Sequence, residues 1–234
     1  MKPLVENDFI HQDLENTKRN ETITLKPKQT VLFIGDSITD VQRNREDAKD
    51  LGRGFSLLLG SYLLNKYPTY DLNVYNRGIG GDRVADLKKR WEKDCLDLNP
   101  DIVTILIGVN DVWHIVADDE DIADDAALEQ FEEDYRWLLK TLAHRTDARV
   151  VLMEPFVLPY PKDRVQWRKF IDPRIQIVRR LANEYHAKFV PLDGILNAKG
   201  IQHKFQTYTG EDGVHPTFAG HRTIADAWIE YVGL

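Results

Sequence analysis

Hydrophobic positions along the chain alternate between two kinds of run. The short runs Val31-Leu32-Phe33-Ile34, Asn73-Val74-Tyr75-Asn76, Ile102 to Ile107, Val150-Val151-Leu152-Met153 and Lys188-Phe189-Val190-Pro191-Leu192 are rich in β-branched and aromatic side chains and read as strands. The run from Ile102 to Ile107 is nearly continuous, as in a strand covered on both faces. The longer stretches carry helical spacing. Residues 54–66 predict a helix stopped near Pro68, and residues 83–96 carry Val84, Leu87, Trp91 and Cys95 at helical intervals. An acidic stretch from Asp118 to Asp125 reads as a solvated loop or helix start, where acids suit the dipole, and leads into a helix through about His144. Residues 172–186 predict a further helix with Pro173 near its start, and a last helix runs from Pro216, placed at its first position, towards Tyr231.

Five strands, each followed by a helix, imply a parallel sheet with helices on both faces, a three-layer α/β/α sandwich. No repeat or low-complexity linker interrupts it. Residues 1–28 are polar and poorly periodic and read as an arm that packs on a partner subunit; residues 29–234 read as one domain.

Composition narrows the classes. Over 234 residues, 42% are apolar and 29% charged, which is the balance of a globular chain. No apolar run approaches the ~20 residues that cross a bilayer. The net charge of −7 argues against a nucleic-acid binder. Cys95 is the one cysteine, so it forms neither an internal disulfide nor a CxxC metal site, and its place in the helical pattern makes it core. The first residues lack an apolar signal segment, so a cytoplasmic setting is expected, and the sequon Asn20-Glu21-Thr22 is set aside as chance.

In open α/β sheets, ligands bind at the carboxyl ends of the strands. The loops there are Gly35-Asp36-Ser37-Ile38-Thr39-Asp40, Asn76-Arg77-Gly78-Ile79-Gly80-Gly81-Asp82, Gly108-Val109-Asn110-Asp111-Val112-Trp113 and Glu211-Asp212-Gly213-Val214-His215-Pro216. Together they hold what acyl transfer needs. Of three serines, Ser56 and Ser61 lie within an apolar helix, while Ser37 follows a strand at a glycine-marked turn. A serine hydroxyl needs an adjacent base, histidine is the natural one, and a carboxylate must hold its tautomer. His215 and Asp212 supply that pair, since a turn at the intervening glycine can bring the carboxylate back to Nδ1. Oxyanion donors are expected from the backbone N–H groups of Ser37 and Gly81 and from the Asn110 amide, each worth ~10²–10³ in rate.

Blander readings exist for each motif. Gly-Asp-Ser is often an ordinary turn, Asp-x-x-His arises by chance, and Gly-x-Asn-Asp caps itself. Their joint order after successive strands favours the catalytic reading. Gly78-Ile79-Gly80-Gly81 is no dinucleotide loop, because Arg83 takes the last glycine position, and no GxSxG elbow is present. Asp36, Asp40, Asp111 and Asp212 are not read as a metal cluster; Asp36 and Asp111 are expected to bind loop backbone. No metal and no cofactor are expected.

These motifs resemble the SGNH hydrolases, the group that contains GDSL-type esterases and lipases. The four signature residues fall on Ser37, Gly81, Asn110 and His215, with Asp212 at the place of the triad acid, in family order over about residues 29–232; Ile38 replaces the usual leucine. Asn110-Asp111-Val112-Trp113, Asp82 to Leu87 and Val214 to His221 look most like bacterial intracellular acetyl esterases, a branch that includes enzymes deacetylating xylo-oligosaccharides. The resemblance implies a flavodoxin-like fold and a cofactor-free serine esterase acting on short acyl, above all acetyl, esters of oligosaccharides. Lysophospholipase or acyl-thioesterase activity on the same triad, and a non-catalytic carbohydrate-binding protein, are the alternatives. The expected partners are a small ester and a second copy of the chain. Trp113 is read as a sugar or acyl platform, or else as core. His114, near the Asn110 loop, is read as a surface residue rather than a substrate contact, His221 as a packed or exposed residue of the last helix, and Arg43, Arg45 and Arg53 as a solvated loop rather than the rim of the cleft. Activity is expected to fall as His215 protonates, near pH ~6.5 for an unshifted imidazole.

Overall fold

The computed structural model describes residues 23–117 and 124–234. Five strands, β1 (Thr30–Gly35), β2 (Asn73–Gly78), β3 (Ile102–Leu106), β4 (Arg149–Met153) and β5 (Lys188–Val190), pair in parallel in the order β2-β1-β3-β4-β5. Val31 of β1 pairs with Val74 on one side and Ile102 on the other, Ile102 continues to Arg149, and Val151 to Lys188. The three-layer fold expected from the sequence is the one observed. Its strand order reverses between β1 and β3, so the crevice for a ligand opens there.

Between and around the strands run α1 (Ser37–Asp40), α2 (Phe55–Lys66), α3 (Val84–Lys89), α4 (Trp91–Asp94), α5 (Val109–Ala117), α6 (Asp124–Arg145), α7 (Arg168–Glu184), α8 (Leu192–Gln202), α9 (Gln206–Thr209) and α10 (Phe218–Val232). The two-residue period of the strands divides the interior into two cores. Val31, Phe33, Val151 and Met153 face one layer with Phe55, Leu59 and Leu63 of α2 and Trp228 of α10. Leu32, Ile34, Val103, Ile105 and Leu152 face the other with Leu87 and Trp91, and with Tyr135, Leu138 and Leu142 of α6. Every residue of β3 is buried, as its sequence suggests. The single polar group on β3, Thr104, is satisfied by Trp228 Nε1 at 2.9 Å.

Several boundaries differ from expectation. The stretch 83–96 is not one helix: it breaks at Arg90 and again at Cys95, although Val84, Leu87, Trp91 and Cys95 are all fully buried. Helical spacing reports which side chains face the core, and short offset turns satisfy it as well as a continuous helix. α7 begins at Arg168, directly after a 3-10 turn at Lys162–Trp167, which leaves Pro173 inside it. Trp167, Phe170, Ile171 and Ile175 form one buried stripe, and its burial outweighs the proline. α10 starts at Phe218, because Thr217 Oγ1 caps it by accepting the Gly220 N–H at 3.2 Å; Pro216 lies outside the helix. α5 and α8 fall where no helix was expected. At the N-terminal side, Ile23 and Leu25 are buried in the first core, ahead of residue 29. Residues 1–22, with most of the arm and the Asn20 sequon, and most of the acidic stretch, lie outside the described residues.

Candidate active site

The loops after β1, β2 and β3 and the turn before α10 converge above the strand-order reversal. Their positions are fixed by buried polar side chains. Asn76, fully buried on β2, donates through Nδ2 to the Thr39 and Leu51 carbonyls at 2.6 and 2.9 Å and accepts the Gly78 N–H at 2.8 Å. Asp36 Oδ1 accepts the Ile38 N–H at 2.9 Å and closes the turn that carries Ser37. Asp111 Oδ2 accepts the Val84 N–H at 3.3 Å. Burial pushes both carboxyls up to about 7. Both aspartates therefore bind loop backbone, as the sequence suggested.

Ser37 Oγ lies 2.8 Å from His215 Nε2, and His215 Nδ1 lies 2.6 Å from Asp212 Oδ2. Asp212 Oδ1 also accepts the N–H groups of Val214 and His215, at 2.9 and 2.8 Å. The carboxylate is thus held on the turn that presents the imidazole. The turn requires Gly213: its φ is +75°, and a Cβ would lie 2.0 Å from the Tyr160 carbonyl oxygen. The Asp212 hydrogen bond raises the His215 pKa against the opposing effect of burial. Burial alone would raise Asp212, but its hydrogen bonds to His215 and the loop backbone bring it below the usual value.

Gly81 and Asn110 line one hollow with Ser37, His215, Trp113, His114 and Ala117, of about 380 Å³. Asn110 sits on the first turn of α5, where the sequence suggested a loop, and one amide hydrogen goes to the Asp82 carbonyl at 3.0 Å. That bond orients the amide and leaves its second hydrogen for a ligand. Gly81 is required for conformation and not for room: its φ is +88°, and a Cβ there would meet nothing within 4 Å. A larger cleft of about 630 Å³ shares Ser37 and His215 with this hollow and runs along Gln42, Arg53 and Phe218.

Trp113 is half-buried. It packs edge-on to Trp167 at 5.1 Å and stands 5.9 Å from the His215 ring, so it is at once a core contact and a wall of the hollow. His114 is exposed at the same wall. His221 is packed: it is buried, accepts the Phe55 N–H through Nδ1 at 3.3 Å, and is pushed down to about 4 by burial. The solvated-loop reading fails for Arg43, which is buried and donates to the Gly78 carbonyl at 3.0 Å. Cys95 is buried, as expected, and its thiol is raised by burial. Among the described residues, no three His, Cys, Asp or Glu side chains gather as a metal would need, and no helix is long and apolar enough to cross a membrane.

The supporting roles of three residues escaped the sequence reading. Arg90 donates to the Gly35 and Arg77 carbonyls at 3.0 and 2.8 Å and to Asp82 at 2.7 Å, tying together the loops that carry Ser37 and Gly81. Asp40 Oδ2 accepts the Gly80 N–H at 3.0 Å. Arg164 donates from Nε to the Asp212 carbonyl at 2.8 Å while its guanidinium lies over Trp113 and Trp167, at 5.2 and 4.2 Å. No local spacing marks Arg164, because its partner is 48 residues away.

Comparisons with known proteins show the family. Residues 33–223 match the model of the GDSL-like lipase/acylhydrolase family. The chain is 32% identical over 212 residues to an acetylxylan esterase of Geobacillus stearothermophilus, covering 88% of this chain and 94% of that one. Among solved structures, a GDSL-like lipase from Parabacteroides merdae superposes with a TM-score of 0.84 at 34% identity, covering 91% of this chain and 99% of the other. A catalytic mutant of the Geobacillus esterase, with a serine replaced by alanine, gives 0.80 at 29% identity, over 91% and 97% of the two chains. The chain belongs to the GDSL-like lipase/acylhydrolase family and is a carboxylic ester hydrolase.

Proposed function

We propose that Ser37, His215 and Asp212 are the catalytic triad of an esterase that removes acetyl groups from acetylated oligosaccharides. The observation that carries this reading is the unbroken chain from Ser37 Oγ to His215 Nε2 and from His215 Nδ1 to Asp212 Oδ2. Ser37 Oγ attacks the ester carbonyl as His215 takes its proton. Asp212 holds the imidazole in the tautomer with Nδ1 protonated and stabilises the imidazolium. The backbone N–H groups of Ser37 and Gly81 and the free Asn110 amide hydrogen hold the oxyanion. His215 returns the proton to the departing alcohol. Water then enters, gives a proton to His215, and releases the acid by the same steps in reverse order.

The acetyl and sugar preference is supported by the likeness to the Geobacillus acetylxylan esterase. The test is a series of p-nitrophenyl esters from acetyl to octanoyl, with Ser37→Ala in parallel, followed by acetylated xylo-oligosaccharides. Turnover that falls steeply beyond propionyl and vanishes in the variant is expected. Preference for long chains would move the reading to lysophospholipids or thioesters, and sugar binding without turnover would make the chain a carbohydrate-binding protein.

A further inference from the structure

The two spaces beside Ser37 differ in chemistry, and the difference assigns the two halves of an ester; this rests on reading Ser37 as nucleophile and His215 as base. Gly81 and Asn110 line only the smaller hollow. An ester whose carbonyl oxygen is bound there has its leaving oxygen at His215, which must protonate it. The larger cleft also reaches Ser37 and His215, without Gly81 or Asn110, so it is the space open to the alcohol beyond that oxygen; Pro216, Thr217 and Phe218 line it.

Two further observations describe what this cleft accepts. Phe218, the first residue of α10, is 83% exposed, and an aromatic ring held in water at the mouth of a cleft contributes nothing to the core. Another wall is the turn at Val41 and Gln42, both with left-handed backbone, φ 39° and 58°. For a β-branched residue this conformation is strained and persists only where neighbours enforce it. Here the Arg53 N–H binds the Val41 carbonyl at 3.0 Å, and Arg53 Nη1 approaches Gln42 Oε1 at 3.4 Å. The strained turn thereby brings a carboxamide and a guanidinium together on the cleft wall. His221 also lines the cleft; it accepts the Phe55 N–H through Nδ1, so the neutral ring carries its proton on Nε2. An aromatic face with planar hydrogen-bonding groups suits a ring that is apolar on its C–H face and hydroxylated at its rim. An alkyl chain packs on the aromatic face but leaves the Gln42, Arg53 and His221 hydrogen-bonding groups unused.

We propose that the larger cleft is the leaving-alcohol subsite and that it takes a sugar ring, stacked on Phe218 and hydrogen-bonded by Gln42 and Arg53, while the acyl group stays in the hollow beside Trp113. The experiment compares the wild type with Phe218→Ala and Gln42→Asn; asparagine retains the left-handed backbone and withdraws the amide by one methylene. The substrates are an acetylated methyl xyloside, ethyl acetate and ethyl octanoate. Each variant is expected to lower the ratio of kcat/KM for the xyloside over ethyl acetate by about tenfold, chiefly through KM. The octanoate-to-acetate ratio stays as in the wild type. A changed octanoate-to-acetate ratio would assign the cleft to the acyl group and overturn the proposal. So would an unchanged xyloside ratio, or a wild type that turns over ethyl acetate but not the xyloside. Phe218 is outside the core, so melting curves matching the wild type are expected to accompany the kinetic change. Failure of the triad reading has a different signature: Ser37→Ala would still hydrolyse ethyl acetate.

Discussion

Asp36 offers a direct measure of how much the turn before Ser37 costs the fold. Its carboxyl is 1% exposed; Oδ1 accepts the Ile38 N–H, while Oδ2 has no partner among the described residues. Burial raises its pKa from 3.8 to about 7. The folded chain favours the neutral acid, so this contribution to stability is intact below 3.8, declines as pH rises, and is lost above about 7. At ~1.36 kcal/mol per pH unit, the whole interval corresponds to about 4 kcal/mol. Asp36→Asn keeps an acceptor for the Ile38 N–H and never ionises. Near pH ~8 the variant is expected to be more stable by up to about 4 kcal/mol, or roughly 10 °C in Tm for a chain of this size. Near pH ~4 the gain falls below about 1 kcal/mol. Urea denaturation at the two pH values measures both numbers. An equal gain at both, or a loss near pH ~8, would refute the reasoning, because the effect would then not come from a buried charge.

Four further outcomes follow from the site. The acid limb of kcat/KM is expected above 6.5, because Asp212 raises His215 and activity is lost as the imidazole protonates on going down in pH. Asp212→Asn should move that limb to lower pH and reduce kcat by about 10⁴-fold, as the same change does in other serine hydrolases, and an unmoved limb would detach Asp212 from His215. Asn110→Ala should lower kcat by ~10²–10³ with little change in KM; a pure KM effect would make Asn110 a substrate binder. Arg164→Ala should lower kcat by about tenfold with KM nearly constant, and Arg164→Lys should recover little, because lysine lacks both the planar stack on Trp113 and the directed Nε–H bond to Asp212. Full recovery by lysine would reduce Arg164 to a point charge.

The residues that make up the candidate chemistry were legible because each follows a strand or precedes the last helix, where glycine and polar side chains break the apolar pattern. The sheet was legible for a related reason: β1 and β3 are apolar on both faces, and such runs have few alternatives to a covered parallel strand. Helix ends were less legible. Val109-Asn110-Asp111 reads as loop chemistry, yet the burial of Val109 and Val112 turns it into α5. Gly194 and Gly200 disguise α8, whose Leu192 and Leu196 are fully buried. The supporting contacts were illegible in principle. Arg90 and Asp40 act on backbone carbonyls and N–H groups, and Arg164 on a carbonyl 48 residues away, so no periodicity or motif records them.

The central claim is that Ser37 carries the acyl group. Its most direct test is to mix the enzyme with p-nitrophenyl acetate, quench in acid within the first turnover, and map the modified peptide by mass spectrometry, using Asp212→Asn to slow deacylation if the wild type clears too quickly. A single acetyl group on Ser37, absent from Ser37→Ala together with turnover, is the predicted result. An acetyl group on another residue, or ester turnover that survives Ser37→Ala, would contradict the account.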